Sequence, residues 1–489
     1  MYSPARRASV ALLIVVAGAG RSDAQLISPR TVPVFQDEQF QLYPSSRPGL
    51  GSVRIALDDT LGDVFVNPAK AVRLRGTMAV AAPYGHAISG DRGGGRTLPV
   101  TVLFGTEDWG GAVLGAIQQT DRAGPVWNRS TSERTATNQY LTASISRRFS
   151  DGMSLGASAF HADLSAVDGV DLLYAGSDRI DQSGNLNDFR VGALKEWQSG
   201  HAAELLVVRS STRMRHDVHF TTWVWDSTAR QSRQRTRQDI NLDETDVTGL
   251  HAQYMLPVGS EGWRLGFLGT LNYFDHPKIP NYVLQNLPRD PGSTRAYNVG
   301  LGASRNAGPL TLAADVVMEP ITSNTFADMT ADVKRADGTV IPAGEKTVEN
   351  HFTFHNSRAA LGVGWRAVVD SAAGTSVSLN FGLSMYAISY DLLQTNNITR
   401  TLRAQHENWV ESGPTLGIRF HMRDADVSYA FRATCGTGNC DIVQGDRVFV
   451  TPTVSAPAPG GIIAAPASPL FLQSGRETSH HLTVSVPFR

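Results

Sequence analysis

The sequence predicts an all-β protein: a transmembrane antiparallel β-barrel of about 16 strands, with 14 the other count its runs allow, preceded by an N-terminal plug segment. Three observations carry this. Apolar residues recur at every second position in run after run, as Leu482, Val484, Val486 and Phe488 do at the C-terminus; that is the period of a strand with one apolar and one polar face. The connections between runs alternate short and long, as tight periplasmic turns and longer external loops do. Trp109, Phe149, Trp197, Trp263 and Trp365 gather at the short connections, as an interfacial girdle of aromatics does.

Taken in chain order, residues 1–24 come first. Arg6 and Arg7 precede an apolar core at 8–19, and Ser22 and Ala24 are small residues ahead of Gln25. This is the pattern of a secretory signal peptide, too short and wrongly flanked for a membrane-spanning helix. Its removal takes away three arginines and one aspartate, leaving 41 basic and 44 acidic residues. No charge bias therefore points to nucleic acid.

Residues 25–71 are broken by Pro29, Pro33, Pro44, Pro48 and Pro68 and show little alternation. A barrel has a lumen, and a segment ahead of its first strand can fold back into it. Ile55, Ala56, Leu57, Leu61, Val64 and Phe65 would give such a plug a small core. Asp58, Asp59 and Asp63 would face polar groups of the lumen. Asn67, preceding Pro68, is held extended.

Residues 72–489 form the barrel. Strands are expected near 74–82, 98–105, 111–119, 139–149, 153–165, 188–198, 203–219, 246–257, 263–275, 296–306, 310–324, 353–369, 376–392, 402–422, 427–434 and 480–488. Long connections are expected at about 83–97, 120–137, 167–186, 221–240, 277–295, 326–350, 394–400 and 435–478. Along 376–386, Val377, Leu379, Phe381, Leu383 and Met385 make the lipid face and Ser384 the lumen face. No window after the signal approaches 18 consecutive apolar residues, so a spanning helix is not expected.

The stretch GLGSVRIALDDTLGDVFVNPAKA, residues 49–71, resembles the N-terminal signature of the FadL/TodX-type transporters of hydrophobic compounds and of the related PorV-like barrels. Asp58 and Asp59 match its acidic step, and Asn67, Pro68 and Ala69 its Asn-Pro-Ala ending. Lys70 stands where the family has Gly, and 16 strands exceed the family's 14. The resemblance implies that the plug fills the barrel and that apolar ligands pass through and leave laterally. The expected function is passive outer-membrane transport of hydrophobic or amphipathic small molecules, in contact with outer-membrane lipid and lipopolysaccharide. A general diffusion porin and a scaffold of a surface-export complex are the alternatives; an enzyme is the least expected class. No cofactor and no metal are expected, and the oligomeric state is open.

Other groupings bear on selectivity. Arg209, Arg213 and Arg215 share one parity, and Arg233, Arg235 and Arg237 share that of His251 and Gln253. Both sets are expected at the lumen or rim, where arginine ladders favour anions or outer-leaflet phosphates. The alternative is a solvated hairpin balanced by Asp217, Asp226, Asp239 and Asp243. Cys435 and Cys440 suit an intraloop disulfide in an oxidising compartment, and two cysteines exclude a four-cysteine zinc site. The Gly-x-Ser-x-Gly at 152–156 lacks the strand-turn-helix setting of a nucleophile, which leaves Ser154, His161 and Asp163 a thin lipase reading. His351 and His355 face one side as rim polar residues.

Overall fold

A strand with alternating apolar and polar residues needs two different surroundings, and a closed sheet in a bilayer supplies them: lipid outside, lumen inside. The computed structural model describes residues 40–488 except 89–92, 123–134, 150, 168–178, 227–229, 260, 277–290, 330, 371–373 and 435–476. The signal segment, residues 25–39 of the plug, and Cys435 and Cys440 lie outside the described residues.

The strands are β1 (Gly76–Ala81), β2 (Tyr84–Ile88), β3 (Gly93–Gly105), β4 (Trp109–Arg122), β5 (Thr135–Arg148), β6 (Met153–Leu164), β7 (Arg179–Glu196), β8 (Ala202–Asp226), β9 (Gln231–Val258), β10 (Trp263–His276), β11 (Gly292–Ala307), β12 (Leu310–Asp328), β13 (Val333–Lys334), β14 (Val340–Ile341), β15 (Lys346–Asp370), β16 (Thr375–Asn396), β17 (Thr401–His421), β18 (Asp426–Thr434) and β19 (Glu477–Phe488). All but β13 and β14, a small hairpin of their own, join one antiparallel sheet. That sheet closes where β19 pairs with β1, from Thr77 opposite Phe488 to Ala81 opposite Val484. Pro83 interrupts β1 and β2, because proline brings no N–H to a ladder. Both halves nevertheless pair with β3 on one side and β19 on the other. They share one position in the 17-strand sheet, which makes 16 positions in the wall.

The connections expected to be short, among them 106–108, 197–201, 308–309 and 422–425, fall at one end, and β1 starts and β19 finishes there too. By the usual rule of bacterial barrels this is the periplasmic end. Several long connections are shorter than the sequence predicts. Residues 221–240 continue β8 and β9 almost to the tip, 93–97 belong to β3, 179–186 to β7, and residues 397–400 alone join β16 to β17. Beyond the bilayer the outward positions become polar, so alternation fades although the ladder hydrogen bonds continue. Apolar period marks where a strand is greasy, not where it stops.

The outer surface is an apolar belt. Leu98, Val100, Ile117, Leu141, Val191, Val299, Val316 and Phe381 are all at least half exposed. Below it Trp109, Phe149, Trp197, Trp263 and Trp365 form the expected periplasmic girdle, each 39–47% exposed. Arg147 lies over the rings of Trp109 and Phe149, and Arg305 over Trp263.

Candidate functional site

Residues 40–75 lie inside the barrel and run round its inner wall near the periplasmic end. The wall makes room with glycine. A Cβ on Gly417 of β17 would clash with the Pro48 carbonyl, on Gly382 of β16 with Gly51, and on Gly266 of β10 with Ile55. Further round, Gly192 of β7 faces Asn67, Gly156 of β6 faces Pro68 and Ala69, and Gly110 of β4 faces Ala71. These glycines occupy the inward parity, so the hatch backbone can lie flat on the strands.

Wall side chains then hold the hatch backbone, which makes few regular hydrogen bonds of its own. Asn380 donates to the Pro48 carbonyl at 2.9 Å, and Thr415 to that of Gly49 at 2.8 Å. Asp315 accepts from the Arg54 and Ile55 amides at 2.5 and 3.0 Å. Gln253 and Ser304 donate to the carbonyls of Ile55 and Ala56. Arg190, paired with Asp188 at 2.6 Å, donates to the carbonyls of Phe65 and Val66.

The Asn-Pro-Ala motif has a local reason. Asn67 is extended, with φ −123° and ψ 107°, and its side-chain oxygen accepts from the Ala69 amide. It thereby caps a 3-10 turn, Pro68–Arg73, with proline at the position that needs no N–H. Its amide group donates to Glu204 of β8 at 3.0 Å. A one-turn helix, α1 (Asp63–Val66), directly precedes it.

Charge concentrates beside this turn. Lys70 pairs with Glu204 at 2.9 Å and with Asp63 at 3.4 Å. Arg73 pairs with Asp58 and with Glu196, and Arg264 of β10 reaches Asp58 as well. Burial opposes the charge on Lys70, but Asp63 and Glu204 outweigh it and hold the ammonium above the usual lysine range. Burial likewise opposes the Asp58 carboxylate, yet Arg73 and Lys70 keep it below the usual range. Asp63 goes the other way: burial pushes it up to about 6 against the pull of Lys70. The nearby carboxylates of Asp59, Asp58 and Glu204 add to that push.

Asp58 thus meets the wall as expected, but Asp59 does not. It turns back into the hatch and accepts from Ser45, Ser46, Leu61 and Gly62. An aspartate flanked by turns serves its own backbone first.

Toward the long-loop end the inner wall carries an apolar arc, flanked on the same strands by buried polar residues such as Asn272, Thr294, Ser323 and Asn350. Leu206, Val208, Val247, Phe274, Ile321, Phe352, Phe354, Ile388, Tyr390 and Leu392 form one buried cluster spread over β8–β12, β15 and β16. Phe352, Phe354 and Tyr390 are fully buried, with ring centroids 5.4–5.9 Å apart. Period alone could not find this arc, because it occupies the parity that the lower half of each strand gives to glycine and polar residues.

The arginine sets separate. Arg209, Arg213 and Arg215 share the outward parity of Leu205 and Val207, whereas Val208 and Met214 are the buried ones. These three therefore face outward rather than into the lumen, and they pair with Asp246, Glu244 and Asp217. Val208 and Met214, apolar by residue type, are buried on the luminal side, which puts the opposite parity outside. Arg233, Arg235 and Arg237 keep the inward parity of His251, on a ribbon that rises past the neighbouring strands. Ser154 is buried on the inner face of β6 while exposed His161 and Asp163 share its other face, so the three are not brought together. His351 and His355 are exposed on the outer face of β15.

The closed antiparallel wall, its apolar belt and its girdle define an outer-membrane β-barrel of the Gram-negative type. No protein-family model and no curated protein matches the chain. Among solved structures it is similar to the Pseudomonas putida toluene transporter TodX, at 11% identity and a TM-score of 0.40, covering 92% of this chain and 100% of that one. A Pseudomonas aeruginosa FadL homologue gives 12% and 0.40, over 91% and 99% of the two chains. The ferric-catecholate import receptor Fiu of E. coli K12 gives 9% and 0.38, over 85% and 82%. The class rests on the chain's own wall and belt; these distant likenesses add no argument about cargo.

Proposed function

We propose that this barrel carries hydrophobic or amphipathic small molecules passively across the outer membrane, with residues 25–75 as its hatch. The observation that carries the proposal is the apolar inner arc around Phe352, Phe354, Tyr390 and Ile388. A diffusion porin keeps a polar, water-filled interior. These side chains are packed against one another, so a solute must part them to pass, and a polar one would have to shed water to do so, at a cost of several kcal/mol for an unpaired polar group, roughly 2–7. An apolar solute gains from the same surface, by about 25 cal/mol for each Å² it buries.

The resemblance of residues 49–71 to the FadL/TodX signature agrees with this cargo class. So does the way the hatch is held, by single hydrogen bonds and ion pairs that can be exchanged one at a time. The test is uptake into proteoliposomes. Phe352→Ser with Tyr390→Ser should cut entry of a neutral apolar dye about tenfold and leave a small sugar unchanged. Uptake of the dye should also persist without any proton gradient. Equal effects on dye and sugar would favour the porin.

A further inference from the structure

Above the apolar belt, the outer face of β15–β17 is dented. A shallow cavity of about 290 Å³ is lined there by His351, Thr353, Asp391, Leu393, Ala404 and His406. That is near the lower end of small-ligand clefts, which start at ~300 Å³. The ladders place these residues side by side: His351 opposite Leu393, Thr353 opposite Asp391, Asp391 opposite His406, and Leu393 opposite Ala404. All but Thr353 are exposed, and all six share the outward parity of Leu361, Phe381 and Val410.

The side chains hold one another in a set order. The Asp391 carboxylate can only accept, so His406 donates to it from Nδ1, at 2.8 Å. His351 likewise donates from Nδ1 to the side-chain oxygen of Asn324, at 2.5 Å. The two Nε2 atoms are then acceptors, facing the Thr353 hydroxyl and the Asn408 amide at 3.4 Å each. What the cavity offers a visitor is therefore acceptors: the second oxygen of Asp391 and the lone pairs of Thr353. Leu393 and Ala404 add apolar floor. No lysine or arginine lines it, and among the described residues no three His, Cys, Asp or Glu side chains are placed to hold a metal ion. Acceptors over an apolar floor suit a sugar, which brings several hydroxyl donors and an apolar ring face. A phosphate would meet the Asp391 charge with no lysine or arginine to offset it.

Depth names the source of the sugar. The top row of the belt runs from Met318 through Ser357 and Ala387 to Val410. The cavity occupies the rows four and six residues above it on the same strands. At ~3.3 Å per residue and a strand tilt of about 40°, this is roughly 10–15 Å further out. Headgroups add only about 5–8 Å to each side of the hydrocarbon core. The cavity thus stands above phospholipid headgroups, at the level of saccharide. We infer that it seats a sugar of outer-leaflet lipopolysaccharide, whose acyl chains lie on Val316, Met318, Met385 and Val410 below. The site is on the lipid face and does not depend on what the lumen carries.

The test is binding of rough lipopolysaccharide to the purified full-length barrel in detergent, with EDTA present so that no divalent ion can bridge. The unaltered protein should bind it more tightly than phosphatidylglycerol. Core oligosaccharide cleaved from its lipid should compete only weakly, since it lacks the chains that lie on the belt. Thr353→Val with Asp391→Leu removes both acceptors. It should weaken lipopolysaccharide binding about tenfold, as loss of two hydrogen bonds does, and leave phosphatidylglycerol binding unchanged. Asp391→Lys separates the sugar from its phosphates: it should also weaken the complex, whereas a phosphate-reading site would gain from the added cation. Heat-modifiable migration on gels checks that every variant is a folded barrel. Binding that survives the double substitution, strengthens with Asp391→Lys or disappears in EDTA would overturn the inference. So would equal binding of phosphatidylglycerol or of the free oligosaccharide.

Discussion

At the scale of single residues, the hatch is defined as much by what the wall omits as by what it supplies. Gly192, Gly382 and Gly417 have no side chain where the hatch backbone passes. Alanine at Gly192 would put its methyl group against the Asn67 side chain, which also caps the 3-10 turn and bonds Glu204. Gly192→Ala should therefore loosen the hatch while the barrel still folds. Protease cleavage within residues 40–75 should rise, with heat-modifiable migration unchanged. Asp63 gives a second prediction. Its carboxyl titrates near 6 when docked and at its ordinary 3.8 when released, so docking takes up a proton between those values. Lowering the pH from 7 to 5 should thus tighten docking, by about tenfold, and the gain should level off below 4. Asp58, held low, acts in the opposite sense only at still lower pH. Asp63→Asn should abolish the pH dependence of hatch proteolysis between 5 and 7; a dependence that survives would assign it to another group.

At the scale of elements, period 2 made the wall legible because each strand meets lipid for about half its length. On β16, Phe381, Leu383 and Met385 face out, while Gly382 touches the hatch and Ser384 bonds the Gly413 carbonyl. Leu383→Arg should cost roughly 2–4 kcal/mol of folding stability in bilayers, and Ser384→Arg less. Denaturant titration in liposomes measures both, and equal costs would contradict the assigned faces. The hatch was legible from its prolines and its Asn-Pro-Ala ending, because a turn-forming segment cannot extend a ladder. Its contacts were not. Gly266, Gly382 and Gly417 read as weak strand positions until the backbone of residues 48–55 is laid against them. The apolar arc was hidden for a related reason. Phe352, Phe354 and Tyr390 share a parity with luminal Asn356 and Arg358, and a one-dimensional pattern does not say how high above the hatch a residue sits. Arg209 and Arg213 were misplaced because Val208, an aliphatic residue, is on the inside.

For the whole molecule, the question is what closes a 16-strand wall. Barrels of that size leave a water-filled channel unless something fills them, because wall side chains alone do not meet across the axis. Residues 48–57 fasten to β9–β12 and β15–β17 through Asp315, Gln253, Ser304, Asn380 and Thr415, whereas Phe40 and Leu42 pack on the β3–β8 side, Phe40 against Tyr140 of β5. Residues 58–75 fasten to β3–β8 through the Lys70–Glu204 pair, Arg190 and the Asn67 turn. Residues 48–57 and 59–75 thus lie against different parts of the wall. Deleting Gln25–Leu57 should leave the second half docked and the barrel folded, since the ladder from β1 round to β19 does not depend on the deleted residues. It should also bare the wall glycines along β10–β17. In planar bilayers the truncated protein should show a large, steady single-channel conductance where the intact protein shows little. Selectivity for apolar dye over sugar should fall with it, because sugar would gain an aqueous path that bypasses the aromatic arc. Arg264→Ala, which removes one of the two arginines on Asp58, should give brief openings rather than a permanent one. Intact and truncated proteins that conduct alike would mean the segment is no seal, and the diffusion-porin alternative would then account better for a wall of this width.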